Sequence, residues 1–406
     1  MSSSNAPGPV GTLQRLVSLD AYRGFVMLLM LAEVLELSAV AKKLPDSIAW
    51  QFAAWHQTHV EWVGCTLHDL IQPSFSFIVG VAVPFSIASR RQRGQSSPVM
   101  LLHALWRSVL LVMLGVFLRS KNTAGTNWVF EDTLSQIGLG YFVLFLVGMA
   151  SRWVHWLAFV GILVGYWAAF ATYAVPDDLV SPLRGVSQEW QDKHGLEGFS
   201  QHWSKNANLA HDVDVWLLNQ LPRVPRMGEA AFRYNGGGYQ TLNFVPTLAT
   251  MILGLIAGTF LQGHPPTFRR TLMFAAAGGL GLALGWALNE FDIVPVVKRI
   301  WTPSWVLYSG GWCLLLLAVF YLCIDVTGFK AWAFPLVVIG MNSIVAYCLA
   351  GLTRAFFREN LIRHFGTSAF QAAGEAYEPL LLGGAVLLIW WLILFWLYRN
   401  RVFLRI

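Results

Sequence analysis

Charge is what this chain has least of. Only 12% of its 406 residues are Asp, Glu, Lys or Arg, about half of the roughly 25% usual for a soluble domain, and that shortfall excludes an ordinary cytosolic enzyme. Cysteine is as sparse. Cys65, Cys313, Cys323 and Cys348 stand far apart, three of them inside apolar runs, so neither a disulfide framework nor a CxxC metal site is in prospect. They read as small buried hydrophobes. No basic face interleaved with aromatics lies outside the apolar runs, which excludes nucleic acid as a partner. The opening MSSSNAPGPVGTLQR has no apolar core and reads as a flexible tail over residues 1–20 rather than a cleavable signal peptide. Internal repeats are absent.

Apolar sequence is abundant, at 56%. Runs of about 18 or more nearly uncharged residues are long enough to cross a hydrocarbon core as helices, so the chain is expected to be an all-α, polytopic membrane bundle. Ten candidate spans cover about residues 21–38, 70–89, 101–118, 133–150, 153–174, 243–262, 270–288, 304–324, 333–351 and 378–398. An even number puts both termini on one side. That side carries 13 Lys/Arg against only Asp20 and Asp325, and the opposite side 15 Lys/Arg against 17 acids. The positive-inside rule therefore makes the termini, with the C-terminal 399–406, cytoplasmic in a plasma membrane, and anionic lipid a partner of the basic face. The one long polar stretch, 175–242, becomes an external cap on a single membrane domain of 21–398.

Ionisable residues in or beside spans are costly and mark candidate function. Glu33 and Glu36 are three apart, on roughly one helical face at the outer end of the first span, where headgroup contact is the plain alternative. His56, His59, Glu61, His68 and Asp69 crowd the mouth of the second span. No second cluster completes a metal site there. Thr66 to Asp69 has the form of a capping box, which would account for Asp69 structurally, while the catalytic reading makes a neutral imidazole a nucleophile or general base oriented by a carboxylate. Arg23, at the inner end of the first span, either snorkels to lipid or meets a cofactor phosphate. Lys298, Asn342 and Ser343 place polar groups at or in the membrane, with interhelical hydrogen bonding as the plain reading of Asn342.

Taken in order, RLVSLDAYRGFVMLLM, HVEWVGCTLHDLIQPSFSFIVGVA, QIGLGYF, TLNFVPTLATMILGLIAG, PVVKRIWTPSWVL and GMNSIVAY resemble the heparan-α-glucosaminide N-acetyltransferase family and its bacterial relatives over about residues 12–398. The resemblance implies transfer of an acetyl group from cytosolic acetyl-CoA to an amine, or a hydroxyl, of an amino sugar or glycan beyond the membrane, by a protein that pairs as a homodimer. The family's essential histidine falls on His59 and the aspartate of its HxxWxGxTxxD core on Asp69. Arg23, Trp62, Asn243, Lys298, Asn342 and Ser343 fall in matching blocks as acyl-CoA or substrate contacts. Val34 stands where family members carry asparagine, so either Glu33 takes over that polar role or the acceptor differs; Ser135-Gln136 replaces Gln-Arg. The eukaryotic members' external N-terminal domain is not matched, and the short loops point to a prokaryotic protein. Two other classes stand beside it: a glycolipid transporter or flippase, which would use the same polar groups as a pathway, and a b-type haem protein, which would use His103 and His155 as axial ligands.

Overall fold

The computed structural model describes residues 16–222 and 231–404; most of the expected N-terminal tail falls outside these. Among the described residues every regular element is helical, with two isolated bridges and no strand. The α-helices run α1 Val17–Leu31, α2 Leu37–Lys43, α3 Ile48–His56, α4 Ile71–Gln92, α5 Ser97–Ser120, α6 Thr133–Met149, α7 Arg152–Ala171, α8 Gln188–His194, α9 Leu209–Leu218, α10 Phe244–Leu261, α11 Phe268–Glu290, α12 Pro303–Phe320, α13 Phe334–Met341, α14 Ser343–Phe365 and α15 Glu378–Arg399. Among the described residues seven helices are long and apolar enough to cross a membrane, or up to nine spans if two bent pairs each count once. The molecule is an integral, multi-pass membrane protein. The expected span at 133–150 is α6, whose 17 residues reach about 26 Å.

Small residues set the closest helix pairs. A Cβ on Gly80 of α4 would lie 1.8 Å from the Met251 carbonyl oxygen of α10, and one on Gly254 would lie 2.0 Å from that of Phe77, so the two backbones touch. Such contact replaces the hydrophobic driving force that lipid removes. Gly24 and Gly340 bring α1 and α13 together in the same way. Local signals explain the starts: Pro98, Pro303, Pro335 and Pro379 open α5, α12, α13 and α15, and Asp132 Oδ1 accepts the Leu134 and Ser135 amides at the head of α6.

Two expected spans are broken. The first ends at Leu31, passes through a short 3-10 turn and bends at Glu36, in the left-handed region at φ 50°, before α2 continues at 43°. Glu33 and Glu36 consequently do not share a helical face. Glu36 pairs with Arg354 and Arg358 at 2.9 and 3.2 Å, while Glu33 turns to His68 at 3.3 Å. The span expected at 333–351 bends by 69° at Asn342 and runs on to Phe365. Asn342 leaves the helix because its side chain bonds the C-terminal segment, donating to the Val402 carbonyl at 3.1 Å and accepting the Leu404 amide at 3.2 Å.

The described residues of the polar stretch pack against the loop before α4 and the lead-in of α10. Trp203, Ala210 and Leu218 are buried in that stretch, and Asp214 on α9 accepts the Thr241 amide with both oxygens, at 3.0 and 3.2 Å, fixing the cap to the lead-in of α10. Burial pushes the Asp214 carboxyl up to about 7, and Glu131 adds to the rise. An unfolded chain holds that proton only to about 3.8. With respect to this group the fold is most stable below the lower value and loses stability as pH rises through the upper one. Thermal unfolding of wild type is therefore expected to weaken more between about pH 5 and pH 8 than that of Asp214→Asn; equal weakening would assign the titration elsewhere.

Candidate functional site

Residues 57–67 form a loop between α3 and α4, and residues 291–302 a second loop before α12. Gly64 donates its amide to the Val296 carbonyl at 3.0 Å, and Val63 bridges Val297, so the loops are stitched into one unit. Arg299 clamps it. Its guanidinium donates to the Val60 carbonyl at 3.0 Å and the Gly237 carbonyl at 2.7 Å, while Asn243 donates to the Arg299 carbonyl at 2.8 Å. Trp62 is buried and donates its indole N–H to the Trp203 carbonyl at 3.1 Å, pinning the cap to the same unit. Trp301, in the left-handed region at φ 50°, turns the chain sharply into α12, whose first amides Thr302 caps.

Inside this unit three charged or titratable groups meet. His59 Nδ1 lies 2.7 Å from Asp69 Oδ1, and Lys298 Nζ lies 3.2 Å from the same oxygen and 3.1 Å from Nδ1. An ionised carboxylate only accepts, so at 2.7 Å Nδ1 directs its own N–H at Asp69 Oδ1, and the Lys298 ammonium donates to that same oxygen. The ring is thereby held with Nε2 as its lone pair. Asp69 Oδ2 accepts the amides of Thr66 at 3.0 Å and Val60 at 3.3 Å, and the Asp69 amide returns to the Thr66 hydroxyl. The capping box and the carboxylate–imidazole contact expected as alternatives are both present, one on each oxygen.

Asp69 and Lys298 are almost fully buried, whereas the His59 side chain is 37% exposed. Burial is the main cause that holds the His59 imidazole below its ordinary value; the Lys298 charge works in the same direction and Asp69 against it. Burial likewise lowers the Lys298 ammonium, with Asp69 opposing.

His59 faces a cavity of about 450 Å³ enclosed by α1, α4, α5, α14 and α15 and roofed by Tyr239. That is within the roughly 300–1,000 Å³ of small-molecule sites. Glu33, His68, Glu131, Lys298 and Arg354 line it. His68 links two expected residues: its ring centroid is 4.5 Å from that of His59, and its Nε2 is 3.3 Å from Glu33. A three-residue polar row, His59–His68–Glu33, thus crosses the chamber.

The structure brings together His59, Asp69, Lys298 and Glu33. Trp62 and Asn243 sit one layer back and hold the loops. Arg23 pairs with Asp20 at 3.7 Å, ten residues and roughly 15 Å along the helix direction from Glu33. Asn342 is committed to the C-terminal segment, and Ser343 heads α14; neither lines the chamber. The sequence places His68 in the cluster without a role of its own and does not single out Arg299, Tyr239 or Glu131, because the signal for each is proximity between distant segments. Among the described residues no group of three His, Cys, Asp or Glu is arranged to hold a metal ion.

No family model matches the chain. It is similar to two curated proteins named heparan-α-glucosaminide N-acetyltransferase: the human one, 24% identical over 97% of this chain and 60% of the relative, and the mouse one, 24% identical over 87% and 57%. The chain spans about 60% of the length of the curated relatives it matches.

Proposed function

We propose that this protein is a transmembrane acyltransferase of ten crossings with both termini in the cytoplasm, moving the acetyl group of cytosolic acetyl-CoA to the amine of an amino sugar outside the plasma membrane. The observation that carries the reading is the imidazole of His59, oriented through Nδ1 by a buried carboxylate, facing a chamber on the capped side of the bundle. The similarity to the two N-acetyltransferases supports it.

The chemistry is economical. The acceptor amine attacks the thioester carbonyl, the C–S bond breaks, and CoA leaves as a thiol carrying the proton that the nitrogen loses. His59 Nε2 serves either as the base that moves this proton or as the nucleophile that first takes the acetyl group. Asp69 holds the imidazole in the tautomer that both routes need. Glu33, half-exposed and across the chamber, supplies negative charge for an amino sugar's ammonium or hydroxyl groups.

The test is CoA release by purified protein given acetyl-CoA, with and without glucosamine. Saturable, acceptor-stimulated release supports the reading; a protein that binds no acyl-CoA and instead moves glycolipid is a transporter. Glu33→Gln is expected to raise the acceptor KM by about tenfold while the KM for acetyl-CoA holds. Unchanged acceptor kinetics would remove Glu33 from the acceptor site.

A further inference from the structure

A second cavity, of about 780 Å³, lies at the end of the bundle opposite His59, between the last turns of α10 and the first turns of α7 and α11. The helix α10 starts beside the catalytic loops, where Asn243 holds Arg299, and its 18 residues carry the chain about 27 Å away. The two cavities share no lining residue: α4 borders the chamber, α10 borders this one, and these helices press backbone on backbone at Gly80, Gly254 and Gly258.

Its polar wall is cationic. Arg152, Arg269 and Arg270 converge with His155 and His264, and among the described residues no carboxylate pairs with any of the three arginines. Arg270 donates to the Pro265 carbonyl. His155 is 4% exposed, yet its Nε2 has no hydrogen-bond partner among the described residues. Both α7 and α11 begin here without a side-chain cap, so their first amides also point donors toward this end. Three guanidiniums and two uncapped helix starts are the donor set that a phosphate takes up.

The opposite wall is apolar and open to the side. Trp156, Phe260 and Met273 line the cavity and remain 50%, 41% and 43% exposed, continuous with exposed Leu157, Val160 and Leu272 on the outer faces of α7 and α11. Hydrated phosphates have no use for such a wall, but acyl chains beside a headgroup do. We infer that this cavity holds the phosphate headgroup of an anionic phospholipid, its chains lying along Trp156, Phe260 and Met273. The site is independent of the chemistry proposed for His59. Its phosphate chemistry could also be met by a soluble phosphate such as CoA, and the experiment separates the two.

The protein is purified into nanodiscs of phosphatidylcholine containing a minor fraction of phosphatidylglycerol, and the lipids retained after detergent exchange are measured by native mass spectrometry. Wild type is expected to retain phosphatidylglycerol over phosphatidylcholine by at least about tenfold, and Arg152→Gln/Arg269→Gln/Arg270→Gln to lose that preference. Arg269→Gln alone, at an exposed side chain without a hydrogen bond in the structure, keeps the comparison available should the triple variant not fold. It is expected to weaken retention by about fivefold. Equal retention of the two lipids by wild type, or an unchanged preference in the variants, would overturn the inference. So would displacement of the bound lipid by millimolar CoA or pyrophosphate, which would give the cavity to a soluble phosphate.

Discussion

His59→Ala is expected to lower acetyl transfer by about 10³-fold while the protein stays folded and membrane-inserted. The loss is large because Nε2 is the reacting atom in either route. The fold is spared because Asp69 keeps its other donors, the amides of Thr66 and Val60 and the Lys298 ammonium, when the ring is removed. The effect should fall on kcat, with acetyl-CoA binding retained, as measured by single-turnover CoA release beside a binding isotherm. The pH profile adds a second readout. Burial holds the His59 imidazole below its ordinary 6.5, and the reacting form is the neutral one, so the acid limb of kcat/KM should lie below that value. Lys298 contributes to the depression, so Lys298→Gln should move the limb upward. A limb that does not respond to Lys298 would belong to another group.

Asp69→Asn should be costly in two separable ways. It leaves the Lys298 ammonium buried without its counter-charge, which destabilises by about 3–5 kcal/mol when the stranded ion cannot relax. Because burial already lowers the Lys298 ammonium, release of its proton holds the cost toward the lower end. The second loss is catalytic: an amide can present its N–H to Nδ1 and select the wrong tautomer. The double variant Asp69→Asn/Lys298→Met distinguishes them. Removing both charges should restore most of the thermal stability while transfer stays down by about 10³-fold. Recovery of activity along with stability would reduce Asp69 to a structural partner of Lys298.

Much of this was legible from the chain, and unevenly so. Long uncharged runs located most of the helices to within a few residues, because burial in lipid demands them regardless of partner, but not the run of α14 on to Phe365. They could not reveal the bends at Glu36 and Asn342, since hydropathy does not register a left-handed residue or a side chain bonded to the C-terminal segment. Thr66 and Asp69 announced a capping box by local spacing, and the box is there. The carboxylate's second task was legible as a catalytic alternative, and Lys298 as a polar group at the membrane, but not that Lys298 reaches Asp69 from 229 residues further along the chain. His68 was legible as a member of the cluster, but its link to Glu33 was not. Its place between His59 and Glu33 depends on how the loop folds back onto the broken first span, and nothing in the local sequence encodes that.

One measurement bears most directly on the central proposal. The protein is reconstituted into vesicles with glucosamine trapped inside, acetyl-labelled acetyl-CoA is added outside, and label in the trapped sugar is followed for wild type and His59→Ala. The result expected is labelled N-acetylglucosamine inside wild-type vesicles, matched by CoA released outside, and neither with His59→Ala. Trapped sugar that stays unlabelled while wild-type protein is present, or equal labelling by both proteins, would contradict acetyl transfer across the membrane through His59.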